Sequence, residues 1–541
     1  MCGIAGVIVK DKAKVRRDGQ GISDLVRQML SRIAHRGREE ADVFSEANVS
    51  IGCCRLPIVD RYNGQQPMQN EDGDVIVVFN GEIYNFSSLR ESLANAGHKF
   101  VTNCDSEVIP HLFEDCRGQS SKLHDDLYGM YAIAIYDRQN QRLVLSRDHV
   151  GKKPLYLLET QDLFAFASEV KAFGTPLDAM AFGEGAVLSD VLPGETIELY
   201  EYSVAPAATK PNQPPSCGGA ITSDVIAIQS VRECMKKAVE CRMPADDISL
   251  AILCSGGIDS AIITWLASNA AKSRNVKITA YVIGNDMSPD IRAARMVCQA
   301  LQVPLSEVII NENDLISVVS DVVYATESFE PNVVRNSLLS YLLFKRIRED
   351  GHRVALCGEG ADELFLGYAD FEHSTDKRLL REQLLGDLYQ TQLLRVDRTS
   401  MAFNVETRAP FLDRDVVELA RRLEPSLNQS RIYGVWQGKS ILREAFCNDL
   451  PWETVTRSKA TFSYGAGFGE VDMNHHGPIE NYASRILGTE LGRLKNQYPL
   501  IDLSTNERAL YLYLFEQFYR VPKGYKSPVV ARRETHTAGF A

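Results

Sequence analysis

Up to about residue 203, apolar and polar positions alternate in short runs with the two-residue period of half-buried strands. Ile4–Val9, Val75–Phe79, Tyr131–Asp137, Arg142–Ser146 and Phe164–Ala167 are predicted strands, parted by turn clusters such as Asn70-Glu-Asp-Gly73. Helical spacing stands out only near Ile22–Ile33 and Ser88–Ala96, so this stretch reads as an α+β sandwich. The segment 205–219 is rich in Pro, Ala and Gly, carries neither period, and predicts an extended linker. Beyond it the pattern becomes strand then helix. Ser223–Cys241, Ser260–Ala271 and Pro289–Ala300 are spaced as helices, and Ile248–Leu253, Lys277–Ile283 and Arg353–Cys357 as buried strands. Such alternation predicts a parallel, doubly wound sheet. From about residue 376 the spacing is mostly helical, and no internal repeat is apparent.

A chain of 541 residues suggests two to four domains, on a prior of ~150 residues each. A hydrophobic share of 45% with 24% charged residues is ordinary for a globular enzyme. The formal charge of −12 speaks against nucleic-acid phosphate as a partner. No apolar run approaches the ~18 residues of a membrane span, and the N-terminus lacks a signal-type segment. A cytoplasmic protein with no membrane partner is expected. Twelve cysteines without paired spacing suit reduced thiols better than a disulfide framework or a zinc site. Cys53 and Cys54 are expected on opposite faces of one strand, without a chemical role, and His475-His476 has no metal-ligand spacing to other groups.

Three short segments carry candidate chemistry. Cys2 follows the initiator Met, so processing would give one residue both a thiol nucleophile and an α-amine with a pKa near ~8. Cys254-Ser-Gly-Gly-Ile-Asp-Ser260 stands between a predicted strand and a predicted helix. Its glycines allow a tight turn, its amides and the helix start make an anion cradle, and Asp259 suits magnesium. The Gly-Lys-Ser/Thr of a Walker A loop is missing. Cys357-Gly-Glu-Gly-Ala-Asp-Glu363 follows another predicted strand and is expected to face the same crevice. Asp362 and Glu363 would then complete a magnesium site with Asp259, leaving Glu359 free for proton transfer.

The serine-glycine loop resembles the pyrophosphate loop of the N-type ATP pyrophosphatases, and over about residues 1–470 the chain resembles the glutamine-hydrolysing asparagine synthetases. The blocks that carry the likeness are Cys2-Gly-Ile-Ala-Gly6, His35-Arg-Gly37, Arg55-Leu-Pro-Ile-Val-Asp60, Asn80-Gly-Glu-Ile-Tyr-Asn85, Arg147–Tyr156 and Ala167–Lys171. Ser255–Ser260, Gly358–Glu363, Glu406–Asp413 and Gly438–Arg443 continue it. The resemblance implies an N-terminal nucleophile-type sandwich, a class II glutamine amidotransferase, over 1–204. It implies a linker at 205–221 and an ATP-dependent synthetase of the doubly wound kind, with a helical C-terminal part, over 222–541. It further implies Cys2 as nucleophile, Asn80 and the Gly81 amide as oxyanion hole, and Arg55, Glu82 and Asp105 as the grip on glutamine. Leu253 and Val282 would line the adenosine site. Ser255, Gly256, Gly257, Asp259 and Ser260 would hold pyrophosphate, and Cys357 and Gly358 would meet the nucleotide through backbone. Asp259 and Asp362 are the implied Mg2+ ligands, Glu359 and Lys459 the implied catalytic pair, and Arg335 with Asn332 the implied acceptor site. A dry passage between the halves would carry ammonia. Family members are often dimers, so a homodimer is consistent with the resemblance.

The chain also departs from the family. Arg38-Glu39 replaces Pro-Asp, Cys357 replaces serine, and Leu366 precedes Gly367 where a second glycine is usual. Asn332 and Val333 stand where two threonines precede the acceptor arginine. The expected activity is ATP-dependent transfer of glutamine nitrogen to a carboxylate, with AMP and pyrophosphate as products and aspartate as the expected acceptor. The alternatives are a specialised acceptor acid, an intramolecular amide or lactam synthetase, and a non-catalytic regulatory relative. The retained Cys2, Arg55, Asn80, Asp259 and Glu359 argue against the last, and Cys2 against the lactam synthetase. The final twenty or so residues are assigned no role.

Overall fold

A computed structural model describes residues 2–10, 20–116, 118–174, 187–200, 203–206, 219–245, 247–432, 434–459, 461–468 and 477–519. Most of the predicted linker and the C-terminal tail lie outside these residues, as does His475-His476.

Two antiparallel sheets are stacked in the first half. One holds β1 (Gly3–Val9), β2 (Glu40–Glu46), β3 (Val49–Arg55), β8 (Tyr156–Glu159), β9 (Leu163–Ala167) and β10 (Val187–Asp190), in the order β10-β8-β9-β1-β3-β2. The other holds β4 (Met68–Gln69), β5 (Val75–Ile83), β6 (Gly129–Asp137), β7 (Arg142–Arg147), β11 (Thr196–Tyr200) and β12 (Ser203–Pro206), ordered β12-β11-β7-β6-β5-β4. Ile4, Ile8, Ile51, Ile76, Val78, Phe164 and Phe166 fill the space between them. The outer face of the first sheet packs on helix Gln20–Arg32, through Val26, Met29 and Leu30. Helices Phe86–Ala96 and Val108–Asp115 cover the second, where Leu93, Val108 and Leu112 meet Val77 and Phe79. Alternation along β5 thus sends Val75, Val77 and Phe79 to the helices, and Ile76 and Val78 inward. All seven positions of β3 are buried, because helix and second sheet cover both its faces. Its sequence therefore shows no alternation.

The second half is built on five parallel strands: β13 (Leu250–Leu253), β14 (Ile278–Gly284), β15 (Leu305–Ile309), β16 (Val354–Leu356) and β17 (Glu406–Arg408). Their order is β15-β14-β13-β16-β17. The chain winds outward from β13 to β15 and then returns to the other side, so the winding reverses between β13 and β16. Ligands bind at such a reversal, outside the carboxyl ends of the strands. β15 and β17 escape sequence prediction. β15 is half-exposed along nearly its whole length, and β17 is Glu-Thr-Arg, polar yet fully buried. Helices including Lys377–Asp387, Gln392–Met401, Arg414–Arg422 and Asn506–Phe518 make up the C-terminal part. Among the described residues no helix is long and apolar enough to cross a membrane.

The halves meet across buried charges. Arg36, in a short turn after helix Gln20–Arg32, donates to Glu169 Oε1 at 2.6 Å and to both oxygens of Asp397 at 2.8 and 3.1 Å. Asp397 and Arg398 come from helix Gln392–Met401 of the second half. Arg398 lies 3.0 Å from Glu169 and 2.8 Å from Glu327, and Lys171 lies 2.6 Å from Glu169. A second cluster joins Arg408 to Glu82 at 3.0 Å and to Glu406 at 2.6 Å. Beside it Arg242 pairs with Asp413 at 2.6 Å, and the Tyr128 hydroxyl donates to the same carboxylate. Removing one member of a buried pair leaves an uncompensated charge, which costs ~3–5 kcal/mol. Arg398→Ala takes from Glu327 its nearest cation, at 2.8 Å, while Glu169 keeps Arg36 and Lys171, so the unfolding free energy from urea titration is expected to fall toward the lower end of that range, ~3 kcal/mol. A fall under ~1 kcal/mol would mean the cluster is solvated and contributes as surface pairs do.

Candidate active sites

Cys2 immediately precedes β1 at the edge of the inter-sheet core and is buried. Its nitrogen, which loss of Met1 would turn into the α-amine, donates to Asn80 Oδ1 at 3.1 Å. That bond orients the Asn80 amide so that its Nδ2 is left buried without a partner. An unpaired buried donor is costly, and here it stands beside a thiol, where an oxyanion would need it. Gly81 follows in β5. A Cβ there would lie 2.0 Å from the Met130 carbonyl oxygen, so no side chain fits. Gln66 Nε2 reaches Cys2 Sγ at 3.9 Å, while its Oε1 accepts from Phe79 N at 2.6 Å. Arg36 Nε donates to the Cys2 carbonyl at 3.0 Å. The Cys53 thiol hydrogen-bonds to Cys2 and, against the opposing effect of burial, brings its thiol down to about 7.

The implied glutamine grip is only partly as expected. The terminal nitrogens of Arg55 donate to Glu40 Oε2 and to the carbonyls of Arg61, Val59 and Asp60 at 2.7–3.3 Å. An incoming carboxylate must therefore share or displace these acceptors. Asp105 is buried, accepts from Ile83 N at 2.8 Å, and has its pKa raised by burial. Glu82 faces Arg408 of the other half at 3.0 Å, and burial pushes its pKa well up.

At the reversal of the parallel sheet the two predicted loops touch. A Cβ on Gly358 would lie 3.2 Å from Asp259 Cβ. Gly256 has φ +72°, and a Cβ there would lie 2.4 Å from the Ala293 backbone, so only glycine serves. Gly257 precedes helix Ile258–Arg274, whose first amides are free to meet an anion. Ser255 and Ser260 approach through their hydroxyls at 3.3 Å. Leu253 and Val282 lie near the carboxyl ends of the adjacent strands β13 and β14, and Cys357 follows β16 with its N–H on the Arg408 carbonyl at 3.0 Å.

The acids of these loops differ from expectation in three ways. The cation between Asp259 and Asp362 is the ammonium of Lys439, 2.5 Å from Asp259 Oδ2 and 2.7 Å from Asp362 Oδ1. Glu359 is not free: Arg395 holds it at 2.5 Å. Glu363 accepts from the Tyr368 hydroxyl at 2.6 Å, and burial raises its pKa to about 7, which suits a metal ligand poorly. Lys459 lies 2.6 Å from Asp362 Oδ2. Asp259 Oδ1 is buried without a hydrogen-bond partner and is a hard oxygen that fits a magnesium ion, which the Asp362 carboxylate would share once Lys439 gives way.

The implied acceptor site is also changed. Arg335, on helix Pro331–Glu349, is bound by both oxygens of Glu507 at 2.9 and 2.7 Å, and Tyr511 donates to Glu507 at 2.7 Å. The pair lines a small cavity with Leu338, Leu339, Ser463 and Phe468. Asn332 is exposed on the first turn of that helix, and Val333 is buried. Asn336, one turn on, is the residue that meets the Ser463 hydroxyl, at 3.3 Å.

Sequence reasoning left Cys53, Gln66, Arg36, Arg395, Asp397 and Lys439 without roles. Arg36 and Lys439 lie inside blocks that the family resemblance had already marked. Arg395 and Asp397 gave no signal, since nothing in a linear sequence pairs them with Glu359 and Arg36.

Residues 1–197 match the family described as a glutamine amidotransferase domain, and residues 230–386 and 372–510 match the asparagine synthase family. A probable glutamine-hydrolysing asparagine synthetase of Dictyostelium discoideum is 30% identical over 550 residues, covering 96% of this chain and 94% of that protein. Glutamine-hydrolysing asparagine synthetase 3 of Arabidopsis thaliana is 30% identical, with 96% and 88% covered. Asparagine synthetase B of Escherichia coli (strain K12), also described as glutamine-hydrolysing, is 28% identical, with 96% and 92% covered.

The geometry around Cys2 sets a pH dependence. A thiolate is the reactive form, and Cys53 supplies the contact that lowers the thiol to about 7. In Cys53→Ala that pKa rises, so alkylation of Cys2 slows at pH 7 and its rising limb moves to higher pH. Mass-mapped alkylation across pH 5–10 reads this directly, and an unmoved limb would discount the Cys53 contact.

Proposed function

Because the chain belongs to the family of glutamine-hydrolysing asparagine synthetases, we propose that residues 1–204 release ammonia from glutamine and residues 222–541 spend it on an activated carboxylate, with 205–221 as the connection. The reaction is glutamine-dependent and ATP-driven amide formation. The observation that carries the residue assignment is the unpartnered, buried Nδ2 of Asn80 beside Cys2. The Cys2 thiolate attacks the side-chain amide carbon of glutamine. Asn80 Nδ2 and the Gly81 amide donate to the oxygen that becomes negative, ammonia leaves with a proton from the attacking system, and water releases glutamate from the thioester.

In the second half, an acceptor carboxylate oxygen attacks the α-phosphorus of ATP and pyrophosphate departs. Ammonia then attacks the acyl carbon and AMP leaves. The Ser255–Ser260 loop suits the pyrophosphate and Lys459 the negative charge that develops on it. Magnesium, held by Asp259 and Asp362, would neutralise phosphate charge. With Arg395 at 2.5 Å, Glu359 is held as an acceptor that can take a proton from the attacking ammonia. Leu56, Ile58, Met130 and Val150 of the first half lie in the same apolar cluster as the β13 and β16 core, which supports a dry route for ammonia between the sites. The eleven described cysteines are free thiols, in keeping with a cytoplasmic setting.

Aspartate is the acceptor this reading favours. A second reading, a specialised acid, is supported by the Glu507 carboxylate already lying on Arg335 and by Val333 at a place where the family offers a hydroxyl. One assay separates them: ATP, magnesium and glutamine with a panel of acids, following AMP, glutamate and amide products by mass. Asparagine from aspartate supports the first reading, and AMP formed only with another acid sinks it. Cys2→Ala is expected to abolish glutamine use while sparing synthesis from free ammonia. Asn80→Ala is expected to lower glutamine hydrolysis by ~10²–10³-fold. Loss of both activities in folded Cys2→Ala would contradict the division between the halves.

A further inference from the structure

Three segments converge on the outer face of the second sheet, away from both candidate sites. Glu71 lies in the turn between β4 and β5, His98 follows helix Phe86–Ala96, and His111 and Glu114 share helix Val108–Asp115. One donor atom from each of the four lies within 4.8 Å of the other three. His98 Nδ1 is 3.2 Å from Glu71 and 4.0 Å from Glu114, and His111 Nδ1 is 2.8 Å from Glu71. These separations bracket the ~3.3 Å between donors in a tetrahedral site with bonds of ~2.0 Å.

His111 distinguishes this cluster from ordinary surface ion pairs. It is 1% exposed, yet its Nδ1 approach to Glu71 is not aligned as a hydrogen bond, and its Nε2 has no partner. Buried polar groups are rarely left this way, whereas two donors turned toward a common ion need not bond to each other. His98 shows the complementary feature. Its other nitrogen, Nε2, lies 3.2 Å from Asp115 Oδ1, the carboxylate brace typical of a metal-bound imidazole. Glu114 is steadied in turn by Asn70 Nδ2 at 2.8 Å. Three carboxylates around two imidazoles leave negative charge to be balanced. Imidazole donors favour a transition ion over magnesium or calcium.

The geometry points to a divalent transition-metal site, zinc by its donors, formed by Glu71, His98, His111 and Glu114 with Asp115 as outer brace. Such an ion ties the 70–74 turn and the segment after helix Phe86–Ala96 to the helix that follows Asp105. Its role is structural, since all four ligands come from the protein and none touches the candidate active sites.

The test uses the full chain as Cys2→Ala, so that the reactive thiol does not bind metal. Metal-free protein is titrated with Co2+, followed by competition with Zn2+. One equivalent with the visible absorption of tetrahedral cobalt is expected, bleached by zinc. His98→Gln and Glu71→Gln should lose that spectrum, and Asp115→Asn should bind ~10-fold more weakly. Absence of a tetrahedral spectrum in the parent, or its persistence in both ligand variants, overturns the assignment. Should His98→Gln misfold by circular dichroism, the more exposed Glu71→Gln decides alone.

Discussion

The burial of Arg36 constrains the rest of the molecule more than any other interaction. A guanidinium removed from water costs several kcal/mol unless carboxylates surround it, and its two carboxylates come from different halves, Glu169 from the sandwich and Asp397 from the second half. Neither half can satisfy it alone. Its remaining nitrogen, Nε, holds the carbonyl of Cys2. The position of the Cys2 backbone is thereby fixed only when the halves are docked. An apolar interface would hold the halves as firmly, but it would not aim a backbone carbonyl.

The same logic extends along helix Gln392–Met401. Arg395 reaches Glu359 in the nucleotide crevice, Asp397 reaches Arg36, and Arg398 reaches Glu169 and Glu327. Residues two and three apart on one rigid helix thus touch both candidate sites. A displacement of this helix would alter Glu359 directly and the Cys2 carbonyl through Arg36. Buried charges so close along one helix would be costly without partners. They are tolerated here because partners from two domains enclose it.

Much of the fold could be read from the chain wherever one periodicity dominated. The alternation of Val75–Phe79 and the strand-helix succession from Ile248 onward follow from one face, or both, being apolar. Legibility failed where burial and polarity part company. β17 is Glu-Thr-Arg and wholly buried, since Glu406 and Arg408 pair with each other and Arg408 also meets Glu82 of the other half. β15 carries no pattern, because at the sheet edge its positions stay partly exposed on both faces and neither face selects apolar residues. At the candidate sites the glycines were visible because backbone shape demands them, and Cys2 because of its place after the initiator Met. Partners of charge were not: nothing in linear order links Arg395 to Glu359, Lys439 to Asp259, or Glu507 to Arg335. The Cys53 contact with Cys2 was hidden differently, since two neighbouring cysteines on a strand look alike until the opposite faces are known.

If Arg335 meets the acceptor, as the family resemblance implies, its pairing with Glu507 bears on acceptor choice first through charge. A free guanidinium attracts a carboxylate by charge and by a bidentate fit. With Glu507 bound through Nε and Nη2, the ion pair is neutral overall, so the long-range part of that attraction is gone. What remains is the edge toward Nη1, which still offers hydrogens in fork geometry and has no partner among the described residues. An acceptor seated there would be selected by directional hydrogen bonds and by the apolar walls of Leu338, Leu339 and Phe468, and only weakly by its net charge. Discrimination would then come from shape and methylene count, which in an apolar pocket is worth ~1–3 kcal/mol per group. A site arranged in this way favours an acid by its carbon skeleton, whereas an unpaired arginine would favour it by its carboxylates.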